Sequence, residues 1–391
     1  MWINRQLKTD LKKALKSRPV VLLTGARQTG KSSLLRHELP DTTYISFDYI
    51  VHAEEAAANP SSFLNQFSSH VILDEIQYAP SLFRELKIRV DEQRKEYGKW
   101  ILTGSQKFPL MQNISESLAG RIAILNLETL SAKELRDCGF FSQDQIINTL
   151  WQGGFPELWA NEELTPERFF LDYIQTYLER DLKSIINVKN LSDFQRFIRL
   201  CATRVGQLLN HNDLANAIGV SSVTIKTWMS ALQTAGLISL LPPYYANIGK
   251  RLVKAPKLYF SDQGLLCSLL NITSLQDFLA HPNRGELWEN FVYMEYVKSG
   301  QLLPGRHIFF YRDKNGVEID FMIETRGEQW LVEAKAMERV DSRKLNFHKV
   351  AKHFPKSRSM LACMLNEKRT IQLKDYNMVN PLLTDVIKTS T

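Results

Sequence analysis

The chain has 391 residues, of which 44% are hydrophobic and 23% charged, and its formal net charge is +7. This length and composition are typical of a globular protein of two or three domains and exclude a disordered or fibrous chain. The four cysteines lie far apart without metal-ligand spacing, which argues against a disulfide framework and a zinc site. No apolar run is long enough to cross a bilayer, so we expect a cytoplasmic protein without a membrane partner.

The N-terminal segment leads into a phosphate-binding pattern. Residues 4–17 are amphipathic and predict a helix, with Arg5 expected close to a bound nucleotide. The apolar strand predicted at residues 20–24 is followed by GARQTGKS, which fits G-x-x-x-x-G-K-[ST]. Backbone N–H groups of such a loop point at a polyphosphate where a helix begins. The expected ATP-binding residues are Gly25, Ala26, Arg27, Gln28, Thr29, Gly30, Lys31 and Ser32, with Lys31 reaching the outer phosphates and Ser32 ligating Mg²⁺.

Two consecutive carboxylates follow a second buried strand. A β-rich run at residues 42–47 and a short helix at 61–68 precede the sequence HVILDEIQ at residues 70–77. Its aliphatic residues predict a strand of a parallel sheet that ends at Asp74 and Glu75. In phosphate-loop NTPases an acid at this position holds Mg²⁺ and a second one activates water. We therefore assign Asp74 to the metal and Glu75 to the catalytic water.

The next two predicted strands add candidates for sensing the nucleotide. Residues 99–102 predict a strand that ends in TGSQ, where either Thr103 or Ser105 could contact the γ-phosphate. Residues 122–127 predict a fifth strand, with Arg121 at its entrance. Arg121 is a candidate catalytic residue, as an arginine finger toward a second copy of the chain, or it pairs with an acid.

These features resemble the ASCE branch of phosphate-loop ATPases and, more narrowly, the AAA-like ATPases of bacteria and archaea that carry a C-terminal domain of unknown function. The resemblance continues beyond the ATP-binding core in four further runs. They are GGFPE at residues 153–157, TYLERD at 176–181, KRLVKAPKLYFSD at 250–262 and GELWENF at 285–291. The resemblance implies ATP hydrolysis with Mg²⁺ as cofactor. Residues 165–186 predict a helical segment in which Arg180 is either a second nucleotide sensor or part of an ion pair.

The middle of the chain predicts a winged helix. The run HNDLANAIGVSSVTIKTW at residues 211–228 has the spacing of two helices joined by a tight turn at Gly219. Ile225 and Trp228 would then form the buried face of the second helix. Residues 237–241 and 257–260 can pair as a wing.

The charge of this region favours a polyanionic partner. Residues 183–260 contain ten Lys and Arg against two acids, a net charge of about +8. DNA is therefore the expected partner, reached mainly through phosphate contacts, while a protein partner or a lid role is the alternative. The expected DNA-contacting residues are Ser222, Thr224, Lys226, Lys250, Arg251 and Lys254.

The last part of the chain has the residue order of the PD-(D/E)xK nuclease fold. A helix at residues 285–299 carries Glu289, a hairpin with an Asn-Gly turn carries Asp320, and the next strand carries Glu333 and Lys335. A helix after Asp341 and a strand near residues 357–364 complete the pattern. Asp320 and Glu333 could hold Mg²⁺ while Lys335 positions or deprotonates a water for phosphodiester attack. The alternative is that these charges only neutralise each other.

The predicted fold class is therefore α/β: a phosphate-loop NTPase core with a parallel sheet, then a helical and winged-helix module, then a PD-(D/E)xK-like domain. The predicted domains are residues 1–155, 156–270 and 271–391. The predicted function is ATP hydrolysis coupled to DNA binding or processing. A nucleotide-controlled switch that binds a protein partner and cuts no DNA is the alternative.

Overall fold

The computed structural model describes residues 1–104, 117–176, 191–245, 254–299, 302–325 and 327–386. The chain divides into two compact units. The N-terminal unit comprises Asn4–Glu128 and Thr234–Gly236, and the C-terminal unit comprises Met1–Ile3, Thr129–Gln233 and Leu237–Thr391. Among the described residues, every helix is too short or too polar to span a bilayer. The domain boundaries predicted after residues 155 and 270 stay predictions.

The N-terminal unit is built on a five-stranded parallel sheet, which confirms the predicted α/β class with a parallel sheet. The strand order is β2-β3-β4-β1-β5. Strand β4 therefore lies between β1 and β3, so the carboxyl ends of these three strands meet at one edge. The strands are β1 (Val20–Thr24), β2 (Thr43–Ser46), β3 (Val71–Asp74), β4 (Trp100–Gly104) and β5 (Ile122–Asn126).

Burial explains why these short apolar runs become the inner strands. Every residue of β1, β3 and β4 is buried, as expected for parallel strands covered on both faces. Val20 and Leu22 of β1 pack with Val71 and Leu73 of β3 in one core cluster, which also contains Phe63 from a covering helix. The sheet therefore holds the loops that follow β1, β3 and β4 on a rigid base.

The helices of the N-terminal unit are α1 (Lys8–Leu15), α2 (Lys31–Glu38), α3 (Ile50–Ala58), α4 (Pro60–Asn65) and α5 (Leu82–Glu92). Two of them differ from the sequence prediction. Helix α1 is shorter than the predicted residues 4–17, because the N–H groups of Ser17 and Arg18 both donate to the Ala14 carbonyl and close a turn ahead of the next strand. Helix α4 begins at Pro60, because the Asn59 side chain caps it by accepting from the N–H of Ser62.

The first half of the C-terminal unit is mainly helical. Its helices are α6 (Ala132–Asp137), α7 (Gln143–Ile146), α8 (Thr149–Gln152), α9 (Pro156–Ala160), α10 (Pro166–Tyr173), α11 (Leu191–Thr203), α12 (His211–Ile218), α13 (Ser222–Thr234), α14 (Gln263–Leu269) and α15 (Leu275–Ala280). Residues 177–180 of the predicted TYLERD run, with Arg180, lie outside the described residues, as does Asp181. Strands β6 (Ile238–Leu241) and β7 (Lys257–Phe260) pair in antiparallel register.

A buried aspartate ties two of the family-like runs together in this unit. Asp262 is 3% exposed and accepts hydrogen bonds from the Thr129 hydroxyl and from the N–H groups of Gly154, Gly264 and Leu265. These bonds join the GGFPE run to Asp262, the last residue of the KRLVKAPKLYFSD run. The two runs therefore have a packing role in the C-terminal unit.

The second half of the C-terminal unit contains a six-stranded mixed sheet with the order β12-β13-β11-β10-β9-β8. Its strands are β8 (Ile308–Arg312), β9 (Glu318–Thr325), β10 (Glu328–Lys335), β11 (Arg358–Cys363), β12 (Ile371–Gln372) and β13 (Asn377–Val379). Helix α16 (Arg284–Lys298) contacts β10. The predicted hairpin is present, since β8 and β9 are antiparallel and Asp313 accepts from the N–H of Val317 across the turn.

The helix predicted after Asp341 is replaced by two short elements. A 3-10 turn (Ser342–Lys344) is capped by Asp341, and helix α17 (Phe347–Val350) follows. The reason lies between them at Asn346, whose N–H donates to the Glu333 carboxylate and whose side chain donates to the Glu318 carbonyl. These bonds fasten the chain to the sheet and interrupt the helix.

Candidate functional site

The phosphate-loop pattern lies at the carboxyl end of β1 and at the start of α2. Gly25 has a φ of 149°, and a Cβ there would lie 2.3 Å from the Leu127 carbonyl oxygen, so only glycine fits. The Lys31 ammonium group is buried and donates to the carbonyl oxygens of Gly25 (3.2 Å) and Ala26 (2.8 Å). The loop thus curves around this lysine. All eight residues predicted to bind ATP, Gly25, Ala26, Arg27, Gln28, Thr29, Gly30, Lys31 and Ser32, belong to this one turn and the first residues of α2.

The N-terminal segment supports this loop through Arg5. The guanidinium group is 7% exposed and donates to the carbonyl oxygens of Thr29 (2.8 Å) and Glu128 (2.6 Å). Thr29 in turn donates from its hydroxyl to Ala26 (3.0 Å). Arg5 therefore connects the loop to the chain just after β5.

Asp74 lies at the end of β3 and beside the phosphate loop, because the carboxyl ends of β3 and β1 share one edge of the sheet. Its carboxylate accepts hydrogen bonds from Ser32 Oγ (2.9 and 3.0 Å to the two oxygens) and from the hydroxyls of Tyr44 and Thr103. The carboxylate is 4% exposed. The two predicted Mg²⁺ ligands of this unit, Ser32 and Asp74, are therefore in direct contact, and both offer oxygen, the donor type that Mg²⁺ prefers.

Glu75 adopts an unusual backbone conformation at the tip of the same strand. Its φ of 54° lies in the left-handed region, which is rare for a residue with a side chain and costs about 1–3 kcal/mol. Its N–H donates to Thr103 Oγ1 (3.0 Å), and its carboxylate accepts from the Gln77 amide. The turn directs Glu75 away from the course of β3, while Thr103 holds both Glu75 and Asp74.

Two further predicted residues give different outcomes. Ser105 lies outside the described residues, so of the two candidate phosphate sensors only Thr103 has a described position. Arg121 forms a two-point ion pair with Asp91, with Nε–Oδ1 and Nη2–Oδ2 distances of 2.7 and 2.8 Å. An acid partner for Arg121 is therefore present, while its role as an arginine finger stays a prediction.

Sequence reasoning missed two residues of this site, Tyr44 and Asp48. Burial raises the pKa of Tyr44 above its ordinary value, and the bond to Asp74 adds to this, so the phenol stays a protonated donor. Burial, followed by the charges of Glu75 and Asp74, also raises the pKa of Asp48. Tyr44 lies on β2 and Asp48 two residues after its end, and the sequence carries no signal for either role, because only the pairing of β2 with β3 brings them to the site.

A second cluster of carboxylates lies in the C-terminal unit, and it contains a lysine for which the sequence predicted no role in the nuclease-like site. Lys257 of β7 is 3% exposed. Its Nζ lies 2.8 Å from the Glu289 carboxylate of α16 and 2.5 Å from the Glu318 carboxylate of β9. Glu289 also accepts from the Tyr259 hydroxyl at 2.5 Å. Lys257 therefore neutralises the part of the predicted nuclease site that Glu289 supplies.

The other predicted nuclease residues meet at Lys335. Its Nζ lies 3.4 Å from Asp320 Oδ2 and 3.2 Å from Glu333 Oε2. Asp320 also accepts from the N–H of Ala334 (2.8 Å), and Glu333 from the N–H of Asn346. The strand alternation thus brings Asp320, Glu333 and Lys335 together as predicted from their spacing, in the form of ion pairs.

The electrostatics of this cluster follow from its burial. Burial by itself would lower the pKa of Lys257, but the charges of Glu289, Asp320 and Glu318 outweigh it and raise that pKa. Burial raises the pKa of Glu289 to about 7 against the opposing effect of Lys257. Within the described ranges, no three His, Cys, Asp or Glu side chains lie so that they could hold a metal ion together.

The predicted DNA-contacting residues are only partly described. Helices α12 and α13 are joined at Gly219, whose φ is 87°, and Ser221 accepts from the N–H of Thr224 at the start of α13. Ile225 and Trp228 are buried, as predicted, while Lys226 is exposed. Ser222 and Thr224 are partly exposed and Lys254 is exposed, whereas Lys250 and Arg251 lie outside the described residues.

Solved structures that are similar to this chain include an ATPase and a branch migration motor. The Walker-type ATPase of Pyrococcus abyssi is 16% identical, with 69% of this chain and 96% of that chain covered and a TM-score of 0.43. The RuvB Holliday junction branch migration motor of Thermotoga maritima is 20% identical, with 60% of this chain and 89% of that chain covered and a TM-score of 0.31.

Three family models match the chain. Residues 17–136 match an AAA domain, residues 143–276 a domain of unknown function (DUF8612), and residues 284–384 a second domain of unknown function (DUF4143). Two uncharacterized proteins, from Mycobacterium tuberculosis and Mycobacterium bovis, are each 32% identical over 334 residues, which cover 85% of this chain and 73% of each relative. The AAA match supports nucleotide binding by the phosphate loop. The chain therefore belongs to the same family as these two mycobacterial proteins, with an AAA domain near its N-terminus.

Proposed function

We propose that the chain binds ATP at residues 25–32 and hydrolyses it. The observation that carries this proposal is the meeting of the phosphate loop, Asp74 and Glu75 at the carboxyl ends of neighbouring parallel strands. The loop and the first turn of α2 bind the phosphates through backbone N–H groups. Lys31 then exchanges its bonds to the loop carbonyls for contacts with the outer phosphates.

The residues around the γ-phosphate divide the remaining tasks. Ser32 and Asp74 would hold Mg²⁺, which when bound neutralises charge that develops on the phosphates. Glu75 accepts a proton from the attacking water at its carboxylate, and Gln77 keeps that carboxylate in place beforehand. Thr103 donates to the Asp74 carboxylate and accepts from the Glu75 N–H, so it holds the metal ligand and the turn that carries the base together.

Two substitutions test this assignment. Lys31→Ala should abolish binding of a fluorescent ATP analogue, because the phosphates lose their buried cation. Glu75→Gln should keep binding but lower phosphate release by about 10²–10⁴-fold, since general-base catalysis supplies that much. Glu54→Gln, an exposed glutamate in the same unit, is the matched control. Turnover at the parent rate in Glu75→Gln would remove Glu75 from its role as the base.

We further propose that helices α12 and α13 and strands β6 and β7 form a winged helix that contacts DNA. The exposed face of α13 with Lys226 and the basic composition of the region support this role. The full chain should bind duplex DNA with an affinity that falls as salt rises. Lys226→Ala should reduce the slope of log affinity against log salt by about one. Lys87→Ala, on the exposed side of α5, is the control, and absence of binding at low salt would refute DNA contact.

For the C-terminal cluster, we favour the alternative in which DNA is not cut. Lys257 and Lys335 already supply the positive charge that a metal ion would bring to Glu289, Glu318, Asp320 and Glu333. The full chain with Mg²⁺ or Mn²⁺ should therefore leave supercoiled and linear DNA intact. Cleavage that disappears in both Asp320→Ala and Lys335→Ala would instead establish the nuclease.

A further inference from the structure

Tyr44 contacts the candidate Mg²⁺ ligand Asp74, and none of the predicted roles covers it. It lies on β2, and its hydroxyl donates to Asp74 Oδ2. In the register of β2 and β3, Ser46 is opposite Asp74 and Tyr44 is opposite Ile72, two residues earlier. A strand rises roughly 3.3 Å per residue, so only a long side chain reaches from that position to the end of β3. The tyrosine ring spans this distance.

The ring itself is fixed before any ligand binds. The Arg36 guanidinium of α2 lies over the Tyr44 ring, 5.3 Å from its centroid. Helix α2 is the helix that begins at the phosphate loop, so Tyr44 contacts both the helix and the strand that define the site. Its position therefore depends on the same elements that position Ser32 and Asp74.

The three hydroxyl donors to Asp74 among the described residues are not equivalent. Ser32 is itself a candidate Mg²⁺ ligand and must turn its oxygen toward the metal. Thr103 donates to Oδ1 and at the same time accepts from the N–H of Glu75. Tyr44 is the donor to Oδ2 that remains when Ser32 turns away. Without it, the carboxylate would be held through Oδ1 alone and could rotate.

We propose that Tyr44 is a positioning residue for metal binding, which holds Oδ2 of Asp74 so that the carboxylate keeps one orientation toward Mg²⁺. This inference rests on the proposed ATPase function. Hydrogen-bond partners of a metal ligand typically change metal affinity by about 10–100-fold when they are removed. Tyr44 should therefore affect the Mg²⁺ requirement of the site and not its affinity for ATP without metal.

The test is Tyr44→Phe in the full chain, which removes the hydroxyl and keeps the ring under Arg36. Binding of a fluorescent ATP analogue is measured across Mg²⁺ concentrations and also in EDTA, and phosphate release is measured across the same Mg²⁺ series. The expected result is an increase of about tenfold or more in the Mg²⁺ concentration at half-maximal binding and turnover, with unchanged affinity in EDTA. Tyr97→Phe, an exposed tyrosine of the same unit, should behave like the parent.

The outcomes separate the two proposals. If the parent chain shows no Mg²⁺-dependent turnover, the proposed ATPase function fails. If the parent hydrolyses ATP and Tyr44→Phe needs the same Mg²⁺ concentration, the ATPase stands and the role of Tyr44 is refuted. Equal loss of ATP affinity with Mg²⁺ and in EDTA would mean that Tyr44 only supports the fold. That outcome also refutes its role in positioning Asp74.

Discussion

Asp74 in the N-terminal unit is a buried carboxylate at the end of β3, and Asp320 in the C-terminal unit is a partly buried carboxylate on β9. Their hydrogen-bond and ion-pair partners differ. The donors that the structure gives Asp74 are three neutral hydroxyls, from Ser32, Tyr44 and Thr103. Asp320 instead forms an ion pair with Lys335 and accepts from a backbone N–H. Hydroxyls orient a carboxylate without cancelling its charge, whereas a lysine cancels it.

This difference predicts where a divalent cation acts. A buried carboxylate whose donors among the described residues are neutral hydroxyls keeps its attraction for a cation, and a nucleotide bound at the phosphate loop would supply phosphate oxygens as further ligands. In the C-terminal cluster, a metal would have to displace Lys257 or Lys335 from their carboxylates. We therefore expect Mg²⁺ chemistry in the N-terminal unit and charge neutralisation in the C-terminal cluster.

The largest expected effect comes from a matched pair of substitutions. Asp74→Asn should lower ATP turnover by about 10²-fold or more, because a Mg²⁺ ligand at the transferring phosphate is lost. Asp320→Asn should leave ATP turnover unchanged. Steady-state phosphate release at saturating ATP measures both. A loss of turnover in Asp320→Asn that equals the loss in Asp74→Asn would break the division between the units.

The next effect concerns stability. Lys257→Met should destabilise the C-terminal unit by about 3–5 kcal/mol, because Glu289 and Glu318 lose the cation that compensates their buried charge. Lys335→Met should cost less, since the Lys335 side chain is 34% exposed against 4% for Lys257, and water therefore screens its ion pairs more. Denaturant midpoints of the two variants, compared with the parent, give the order. Equal midpoints would show that the two substitutions cost the same stability despite the different burial of the two lysines.

Divalent cations provide a third test, by melting temperature. In the parent, Mg²⁺ together with ATP should raise the melting temperature, since ligands that bind only the folded state stabilise it. Mg²⁺ or Mn²⁺ without nucleotide should produce no shift, because the C-terminal carboxylates are already paired with lysines and the Asp74 site gains phosphate oxygens as further ligands only when nucleotide binds. A shift with Mn²⁺ alone that disappears in Asp320→Asn would show that the cluster accepts a metal.

The smallest effect is a pH dependence in the C-terminal unit. Burial raises the pKa of Glu295 to about 7, against the opposing charge of Lys298 and a bond from the Ala132 N–H. The folded state therefore binds this proton more tightly than the unfolded state, whose pKa is near 4.5. The stability from this group is complete below pH 4.5 and is lost as pH rises to about 7, at no more than about 1.4 kcal/mol per pH unit.

The measurement is the free energy of unfolding of parent and Glu295→Gln between pH 4.5 and 8. The variant has no titrating group at this position, and its amide oxygen can still accept from Ala132. Its stability should therefore fall less steeply with pH than that of the parent. Parallel curves would mean that Glu295 titrates alike in the folded and unfolded states.

Much of the N-terminal unit could be predicted because its signals are local. The apolar run of β1, the loop from Gly25 to Ser32 and the carboxylates after β3 are each encoded by consecutive residues. The loop conformation follows from glycine at a position where a Cβ would meet the Leu127 carbonyl. Strand alternation likewise predicted that Asp320, Glu333 and Lys335 would meet.

Only the tertiary structure decided which partners these residues have. Tyr44 reaches Asp74 because β2 lies beside β3. Lys257 reaches Glu289 and Glu318 because β7 lies against α16 and β9. Neither contact leaves a pattern in the sequence. The sequence by itself determined a phosphate loop with its acids, since spacing along one segment specifies them. Strand order and packing decided whether each buried carboxylate meets neutral hydroxyls or a lysine, because residues distant in the chain supply these partners.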